Sequence, residues 1–422
     1  MSQSPHPARA AALKLMDGVR EEGRLLSELT GEDWFVSLAP AEKARAQRLA
    51  LETLRQGERA DRLLKPLLQK APPEPVRQIL RLGLVEIGAL GGAAHGVVGD
   101  MVSAAGATKR TRGFKGMVNA VLRKASAEAE ANWGKLPVPQ LPRWLRKPLT
   151  NAYGNSAIQG VETAHLRGAP LDLTAKGDAA AVAEAVGGEL LPTGTVRVKD
   201  AGQVSAMPGF EAGDWWVQDA AAALPVKVLA PKAGERILDL CAAPGGKTMQ
   251  LAAAGALVTA LDSSGPRLER VSQNLERTGL KADIVESDIF DHAGAYDAVL
   301  LDAPCSATGT IRRHADLPYA RDGGGISELI DLQTRMIDHA LKLVKPGGRL
   351  VYCTCSLIPD EGEVQVEEAI ARHGLKTDSA ALELPGIDPA WITEEGGLRL
   401  RPDYWLKKGG MDGFYMACLL KG

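Results

Sequence analysis

The sequence predicts a multi-domain protein, with an all-α domain at the N-terminus, a small α+β unit in the middle and a doubly wound α/β domain at the C-terminus. Three observations carry this prediction. Apolar residues recur at helical spacing through residues 8–125. From residue 235 onward strands alternate with helices, which is typical of a parallel sheet covered by helices. The length of 422 residues also exceeds what one ordinary core accommodates.

The N-terminal domain is assigned to residues 1–130 and is followed by a linker at 131–142. The linker prediction rests on a shift in composition toward Glu and Ala and then toward Pro. Within the domain, helices are predicted at 9–19, 41–56, 61–68, 76–87, 97–105 and from Met117 onward.

The small α+β unit is assigned to residues 143–225 and the α/β domain to residues 226–422. The small unit shows strand signals at 171–174 and 195–198 and helix signals at 179–186 and 220–229, the second helix preceded by the segment 214–219. In the α/β domain, strands are predicted at 236–240, 257–262, 283–287, 297–302 and 349–353, helices at 247–254, 265–278 and 326–344, and an edge strand within 412–420. Open sheets of this kind bind ligands at the carboxyl ends of their strands.

Composition excludes several classes of protein. Five cysteines without a Cys-x-x-Cys pair predict a reducing compartment and argue against a structural zinc site, so no metal is expected. The first residues lack the basic-then-apolar form of a signal peptide, and no apolar run is long enough to cross a bilayer. We therefore expect a cytoplasmic, monomeric protein with no membrane partner.

Charge is unevenly distributed along the chain. The net charge of −2 does not predict a polyanionic partner. However, residues 1–150 hold 24 Lys and Arg against 15 Asp and Glu, whereas the remainder holds 26 against 37. A basic N-terminal part suggests contact with nucleic acid. A solvated helical surface rich in arginine explains the same numbers equally well.

A glycine-rich loop follows the first strand of the α/β domain and consists of Cys241, Ala242, Ala243, Pro244, Gly245, Gly246, Lys247 and Thr248. Glycines let the backbone approach a ligand, and the helix start offers unpaired N–H groups, as in sites for nucleotide-type cofactors. Asp262 ends the next strand, where a carboxylate can hold ribose hydroxyls, and Asp288 follows the third strand, near where an adenine would lie. The spacing fits neither G-x-G-x-x-G nor a P-loop. The alternative is a tight turn with exposed acids.

Two cysteines follow predicted strands among turn-forming residues. Cys305 lies in Asp302-Ala303-Pro304-Cys305-Ser306, and Cys355 lies in Thr354-Cys355-Ser356. A thiolate is a strong nucleophile once its pKa is lowered or a partner group assists it. Cys241, Cys353 and Cys418 are interpreted instead as small buried residues.

Such a set of groups suits methylation of cytosine at C5. Addition of a thiolate to C6 makes C5 nucleophilic toward a methyl donor, and a proton donor such as Asp302 can offset the charge that builds at N3. A second thiol can then help to remove the C5 proton and release the product.

The two cysteine segments, together with Thr308-Gly309, resemble the paired cysteine motifs of RNA cytosine-C5 methyltransferases. Residues 241–248 resemble the S-adenosylmethionine loop of the same family. The similarity is strongest to the Sun/RsmB type, which acts on small-subunit ribosomal RNA and carries a helical domain similar to the antitermination factor NusB. Residues 8–125 resemble that domain, including the stretch 117–123. The resemblance covers most of the chain and implies a Rossmann-like class I methyltransferase domain.

The resemblance also implies roles for individual residues. Cys355 corresponds to the nucleophile that attacks C6, and Cys305 corresponds to the cysteine that assists product release. The residues 241–247 with Asp262, Asp288 and Asp302 correspond to the S-adenosylmethionine pocket, and Lys247 and Asp302 are also expected near the target base.

Basic residues supply the expected RNA contacts. They are Lys109, Arg110, Arg112, Lys115, Arg143, Arg146, Arg312, Arg313 and His314. The last three follow the first cysteine motif as in the family, where that loop faces RNA; a solvated loop is the alternative. Neutralising the RNA-contacting residues is expected to flatten the salt dependence of binding.

Two departures from the family concern the RNA target. The segment 171–174 lacks the usual Arg-x-Asn, and the segment 95–105 is unusually rich in Gly and Ala. We expect 16S ribosomal RNA as substrate, with transfer RNA as an alternative.

Two rival interpretations remain at the level of sequence. DNA cytosine-C5 methyltransferases use a Pro-Cys dipeptide, which would make Cys305 the attacking thiol. Alternatively, the chain is a non-catalytic NusB-like RNA-binding or assembly factor. The intact thiol pair and the complete cofactor loop argue against this second alternative.

Overall fold

The computed structural model describes residues 6–199 and 201–422, which form two compact units. The first unit comprises the residues up to Arg167 together with Ile311–Gly323, and the second comprises Gly168–Thr310 and Gly324–Gly422.

The α-helices are α1 Pro7–Glu22, α2 Leu26–Leu29, α3 Asp33–Val36, α4 Pro40–Leu64, α5 Glu74–Gly88, α6 Ala94–Ala107, α7 Lys115–Asn132, α8 Arg143–Arg167, α9 Ala179–Val186, α10 Leu224–Leu229, α11 Gly246–Ala253, α12 Gly265–Thr278, α13 Leu317–Ala320, α14 Ile326–Leu343 and α15 Glu363–His373. The strands are β1 Leu171–Ala175, β2 Glu189–Leu190, β3 Val196–Val198, β4 Trp215–Val217, β5 Arg236–Leu240, β6 Leu257–Asp262, β7 Asp283–Glu286, β8 Tyr296–Asp302, β9 Val344–Thr354, β10 Lys376–Thr377, β11 Leu398–Leu400 and β12 Phe414–Leu420.

The first unit is helical, as the sequence predicts. Helix α1 starts at Pro7, whose fixed φ suits a first turn, and ends at Gly23 with a φ of 67°. Helix α4 is continuous where the sequence predicts two helices, because Gly57 is part of a packed helix surface beside the Arg81 side chain. The fully buried apolar side chains of this unit include Leu15, Met16, Leu54, Leu80, Leu82 and Leu122.

The predicted linker and the helix after it pack with the first unit. Trp133 is buried and donates to Oε1 of Gln56 at 2.8 Å, while Arg59 donates to the carbonyls of Leu136 and Pro137 at 2.9 and 3.1 Å. The structure therefore divides after Arg167, whereas the predicted boundary lies at residue 143. Buried polar contacts of this kind leave no periodic signal in the sequence.

A small antiparallel sheet opens the second unit, with strand order β2-β3-β1-β4. Arg197 on β3 donates to both carboxylate oxygens of Asp172 on β1 at 2.7 Å, and both side chains are buried. Strand β1, whose sequence lacks the Arg-x-Asn expected from the resemblance, thus contributes the acidic side chain of a buried ion pair.

The large sheet has the strand order β10-β12-β9-β8-β5-β6-β7, with β11 paired to β12. Strands β5 to β9 are parallel, and β12 runs antiparallel to β9. From β5 the chain builds the sheet outward on one side through β6 and β7, and then returns to the other side of β5 to form β8 and β9. The topological switch point therefore lies between β5 and β8. The Rossmann-like prediction is confirmed, and the crevice at this switch point is the expected ligand site. None of the described helices is long and apolar enough to cross a membrane.

Candidate active site

The glycine-rich loop connects β5 to α11 at the switch point. Its turn is closed by a hydrogen bond from Gly245 N to Ala242 O at 2.8 Å, and Ala242 N donates to Leu261 O at the end of β6 at 3.0 Å. Gly245 has a φ of 99°, and a Cβ there would lie 3.2 Å from the Val271 side chain. Glycine is therefore required both by the backbone conformation and by the closeness of α12.

Two acidic residues follow the neighbouring strands β6 and β7. Asp262 is buried and accepts hydrogen bonds from Ala243 N at 3.2 Å and Ser264 N at 3.1 Å. Asp288 is exposed and accepts from Phe290 N at 2.9 Å. The first carboxylate shapes the loop, and both lie at the sheet edge where a ribose and a base would bind.

Asp239 provides an unused buried acceptor beside the loop. One of its oxygens accepts from Thr248 Oγ1 at 2.6 Å, and the other has no hydrogen-bond partner among the residues that the structure describes. Burial raises the pKa of this carboxyl to about 7. A buried oxygen without a partner is satisfied by a donor from a ligand, so the residues of this rim fit a cofactor that carries an amino group and a ribose.

Lys247 and Asp302 form an ion pair between the loop and the end of β8. The Lys247 Nζ to Asp302 Oδ2 distance is 2.7 Å, and Cys353 Sγ lies 3.5 Å from Asp302 Oδ1. Burial alone would lower the pKa of Lys247, but Asp302 and the neighbouring Cys353 raise it above its usual value. The site therefore holds a fixed positive charge beside a carboxylate.

The two cysteines of the predicted motifs lie side by side. Cys305 Sγ and Cys355 Sγ are 3.5 Å apart, and both residues are partly exposed. The neighbouring Cys355 thiol and burial raise the pKa of Cys305 well above its usual value. Cys353 is fully buried, and burial raises the pKa of its thiol as well. The two cysteines of the predicted motifs are therefore adjacent at the rim. Cys241, which was interpreted from the sequence as a small buried residue, is instead partly exposed in the glycine-rich loop.

The two cysteine loops are also joined through their backbones. Gly309 N donates to Cys355 O at 2.9 Å, and Gly413 N donates to Gly309 O at 2.8 Å. A Cβ on Gly309 would lie 2.0 Å from the Gly413 carbonyl oxygen. The glycine in this motif is thus explained by a close backbone crossing with the segment before β12.

Sequence reasoning missed Glu361, a fully buried carboxylate in the loop after Cys355. It accepts hydrogen bonds from Ser306 and Ser356, the residues directly after the two cysteines. No motif marks it, because it is one of three acids in the segment Asp360-Glu361-Gly362-Glu363 and only the fold distinguishes them.

The expected RNA contacts divide into three groups. Lys109, Arg112, Lys115, Arg143, Arg313 and His314 are exposed. Arg110 is exposed but ion-paired with Glu21 at 2.8 Å, and Arg146 is half-buried and paired with Glu162 at 2.7 Å. Arg312 is fully buried, which contradicts its expected role in contacting RNA. Its carbonyl accepts from Arg55, since the segment 311–323 packs into the helical unit.

The sheet order, the loop at the switch point and the helical unit define a Rossmann-like methyltransferase domain joined to a NusB-like domain. The family model for 16S rRNA methyltransferase RsmB/F matches residues 226–420, and the NusB family model matches residues 6–127. The chain belongs to the RsmB/F family of methyltransferases.

Relatives match along the whole length of the chain. The ribosomal RNA small subunit methyltransferase B of Vibrio vulnificus is 34% identical, with 98% of this chain and 99% of the relative covered. The protein of the same name from Pseudomonas putida is also 34% identical, with 99% and 98% covered. Among solved structures, the methyltransferase homolog protein from Pyrococcus horikoshii is 25% identical, covers 67% of this chain and 95% of its own, and superposes with a TM-score of 0.57.

Proposed function

We propose that this protein methylates C5 of a cytosine in 16S ribosomal RNA, with S-adenosylmethionine as methyl donor and a transient bond between Cys355 Sγ and C6 of the base. The observation that carries the proposal is the pair of partly exposed thiols 3.5 Å apart at the ends of β8 and β9. The names of the full-length relatives support the choice of ribosomal RNA.

The rim of the sheet supplies groups to hold the donor. Asp262 and Asp288 would hold the ribose and the base, and the unpaired oxygen of Asp239 would accept from the amino group. Bound S-adenosylmethionine supplies an electrophilic methyl group. Buried carboxylates are suited to a cationic donor because they favour positive charge in their surroundings.

In this proposal four residues of the chain act on the base. Cys355 adds to C6, and Lys247 with Asp302 stabilises the negative charge and delivers a proton at N3, so that C5 becomes nucleophilic. After C5 has gained the methyl group, Cys305 as a thiolate removes the C5 proton, Cys355 leaves from C6 as a thiolate, and the proton at N3 returns to the Lys247–Asp302 pair.

Substitution of each thiol tests this assignment. Cys355→Ala is expected to lower methyl transfer by at least about a thousandfold and to abolish any RNA-linked protein, because the nucleophile is gone. Cys305→Ala is expected to form the RNA adduct and to accumulate it. The measurements are transfer of tritium from labelled S-adenosylmethionine to 16S RNA and the mobility of the protein in denaturing gels.

Cys418→Ala is the matched control, since this thiol is buried on β12 away from both motifs, and activity is expected to persist. An adduct that survives loss of Cys355 and disappears with Cys305 would reverse the two roles. RNA binding without any binding of S-adenosylmethionine would instead favour a non-catalytic factor.

The substrate is expected to be an accessible loop or an assembly intermediate. A base must leave its stack to reach a thiol in a pocket, and this is easiest where RNA is single-stranded. Bisulfite sequencing of 16S and transfer RNA from cells with and without the protein identifies the modified cytosine. A site lost only from transfer RNA would move the substrate to that class.

A further inference from the structure

Glu361 lies where the two cysteine loops meet and is fully buried. Its Oε1 accepts from Ser306 N at 2.8 Å and from Gln333 Nε2 at 3.1 Å. Its Oε2 accepts from Ser306 Oγ at 2.5 Å and from Ser356 Oγ at 2.6 Å. One carboxylate therefore binds the residue that follows each thiol.

The backbone of Glu361 is fixed to the same strand end. Its carbonyl oxygen accepts from Tyr352 Oη at 2.8 Å and from Thr354 Oγ1 at 3.0 Å, both on β9. Gln333 on α14 also donates to Pro304 O at 2.8 Å, next to Cys305. The carboxylate is thus anchored on β9 and α14 and has little freedom to move.

All the described donors to this carboxylate are neutral: one backbone N–H, two hydroxyls and one amide. A buried carboxylate with only neutral donors is costly to desolvate, so its presence is poorly explained by stability alone. Two apolar loops of the same shape would satisfy packing without it. What the carboxylate adds is a fixed spacing between two loops from different strands.

We propose that Glu361 is a positioning residue that sets the distance between the Cys305 and Cys355 thiols by holding Ser306 and Ser356. The inference rests on the proposed function, in which both thiols act on one base. The inference goes further because it assigns the relative placement of the two thiols to Glu361, a residue that has no role in the reaction with the base. Small errors in the placement of reacting groups lower rates strongly, which is why such a residue matters.

Oxidative trapping measures the spacing of the thiols without RNA or methyl donor. A disulfide forms only when two thiols reach a narrow geometry. An azodicarboxamide oxidant takes up the two electrons and two protons that Cys305 and Cys355 lose. The rate of disulfide formation in the full-length protein is followed by mass spectrometry of the linked peptides, and Cys305→Ser identifies that product by its loss.

Glu361→Ala is expected to slow trapping at least about tenfold, since four donors lose their acceptor. Glu361→Gln is expected to stay within about threefold of the wild-type rate, because it keeps an acceptor for Ser306 N–H and can donate to the two hydroxyls. Glu235→Gln is the matched control, because Glu235 pairs with Arg349 in the middle of β9, away from both cysteine loops, and its trapping rate is expected to be unchanged.

A folded Glu361→Ala protein that traps at the wild-type rate would overturn the proposal. If this variant does not fold, Ser306→Ala is the deciding variant, because it removes the hydrogen bond from Ser306 Oγ to Glu361 and keeps the carboxylate. An unchanged trapping rate in Ser306→Ala would also overturn the proposal. With RNA and methyl donor present, Glu361→Ala is expected to slow both formation of the RNA adduct and release of the methylated RNA from Cys355. Cys305→Ala is expected to slow the release of the methylated RNA alone. Failure of the proposed function would show as no adduct in the wild type, and the trapping result stands independently of that outcome.

Discussion

At the scale of single residues, the candidate site is marked by two buried carboxylates and one partly exposed carboxylate around one lysine. Asp239, Asp262 and Asp302 lie at the ends of β5, β6 and β8, and Lys247 pairs with the last of them. Burial and, after it, the three carboxylates together raise the pKa of the nearby Cys241 thiol to about 12. The local field is therefore negative, which suits a cationic ligand and keeps Cys241 in its thiol form.

Asp239→Asn tests how much the burial of one of these carboxylates lowers the free energy of unfolding. The folded state holds the Asp239 proton more tightly than the unfolded chain, in which aspartate titrates near pH 4. The contribution of Asp239 to the wild-type free energy of unfolding should therefore fall as the pH rises from about 4 to about 7 and then stay level. The Asn variant lacks this term, so its stability relative to wild type is expected to increase by about 3 kcal/mol between pH 5 and pH 8.

The measurement is chemical denaturation of both full-length proteins across that pH range, followed through the transition of the α/β unit. Binding of S-adenosylmethionine to Asp239→Asn is expected to weaken, since the variant cannot carry a negative charge at the unpaired oxygen. Parallel stability curves for the two proteins between pH 5 and pH 8 would contradict a raised pKa at this position.

At the scale of elements, the basic loop between α6 and α7 is a candidate RNA contact. Lys109 and Lys115 are exposed in the first unit, next to the exposed Arg112, whereas the neighbouring Arg110 pairs with Glu21. Exposed cations that are close in sequence and lie on one loop can neutralise phosphates together.

Replacing Lys109 and Lys115 by Gln is expected to reduce the slope of log affinity against log salt concentration by about 1.4, because each contact with single-stranded RNA contributes about 0.7. The control replaces two exposed lysines of the second unit, Lys342 and Lys376, by Gln, which removes the same charge. RNA binding is measured by fluorescence anisotropy over a salt series. Equal slopes for the two variants would exclude this loop as a phosphate contact.

The sequence predicts elements well where their pattern is local. Helix α12 and strands β5 and β6 have the predicted bounds, because their apolar periodicity and flanking turn residues agree. Strand β9 begins at Val344, earlier than predicted, since the glycines 347 and 348 lie inside it and read as a turn in the sequence. The paired cysteine motifs were identified because parallel strands end at one edge.

Features that depend on packing were not predictable in this way. Arg312 reads as part of a solvated basic trio, yet it is buried in the helical unit. Glu361 reads as one acid among several, yet it is the one that the fold places between two loops. In both cases the deciding contacts come from residues distant in sequence, which a local pattern does not contain.

At the scale of the whole molecule, the chain passes between the two units three times, after Arg167, Thr310 and Gly323. The segment 311–323 fills part of the helical unit. Leu26 N donates to Asp316 at 2.8 Å, and the Arg20 guanidinium lies 3.8 Å above the Tyr319 ring. Ala315 and Ala320 are members of the same apolar core as the long helices.

A fragment of residues 1–167 should therefore be less stable than the same helices in the full chain. A synthetic peptide of residues 311–323 is expected to raise the melting temperature of the fragment in a concentration-dependent way, because it binds only the folded form. The peptide with Tyr319→Ala is expected to have a weaker effect, since it lacks the ring under Arg20. Thermal denaturation followed by circular dichroism gives the comparison, and an equal shift with both peptides would contradict this role of Tyr319.

This arrangement has a consequence for synthesis on the ribosome. Domains generally fold as units while the N-terminal part emerges first. Here the helices up to Arg167 are followed by the whole stretch Gly168–Thr310 before Ile311–Gly323, the piece that completes their core, is synthesised. The nascent helical domain therefore lacks part of its core, and keeps apolar surface open to chaperones, until four of the eight strands of the large sheet, β5 to β8, have been translated.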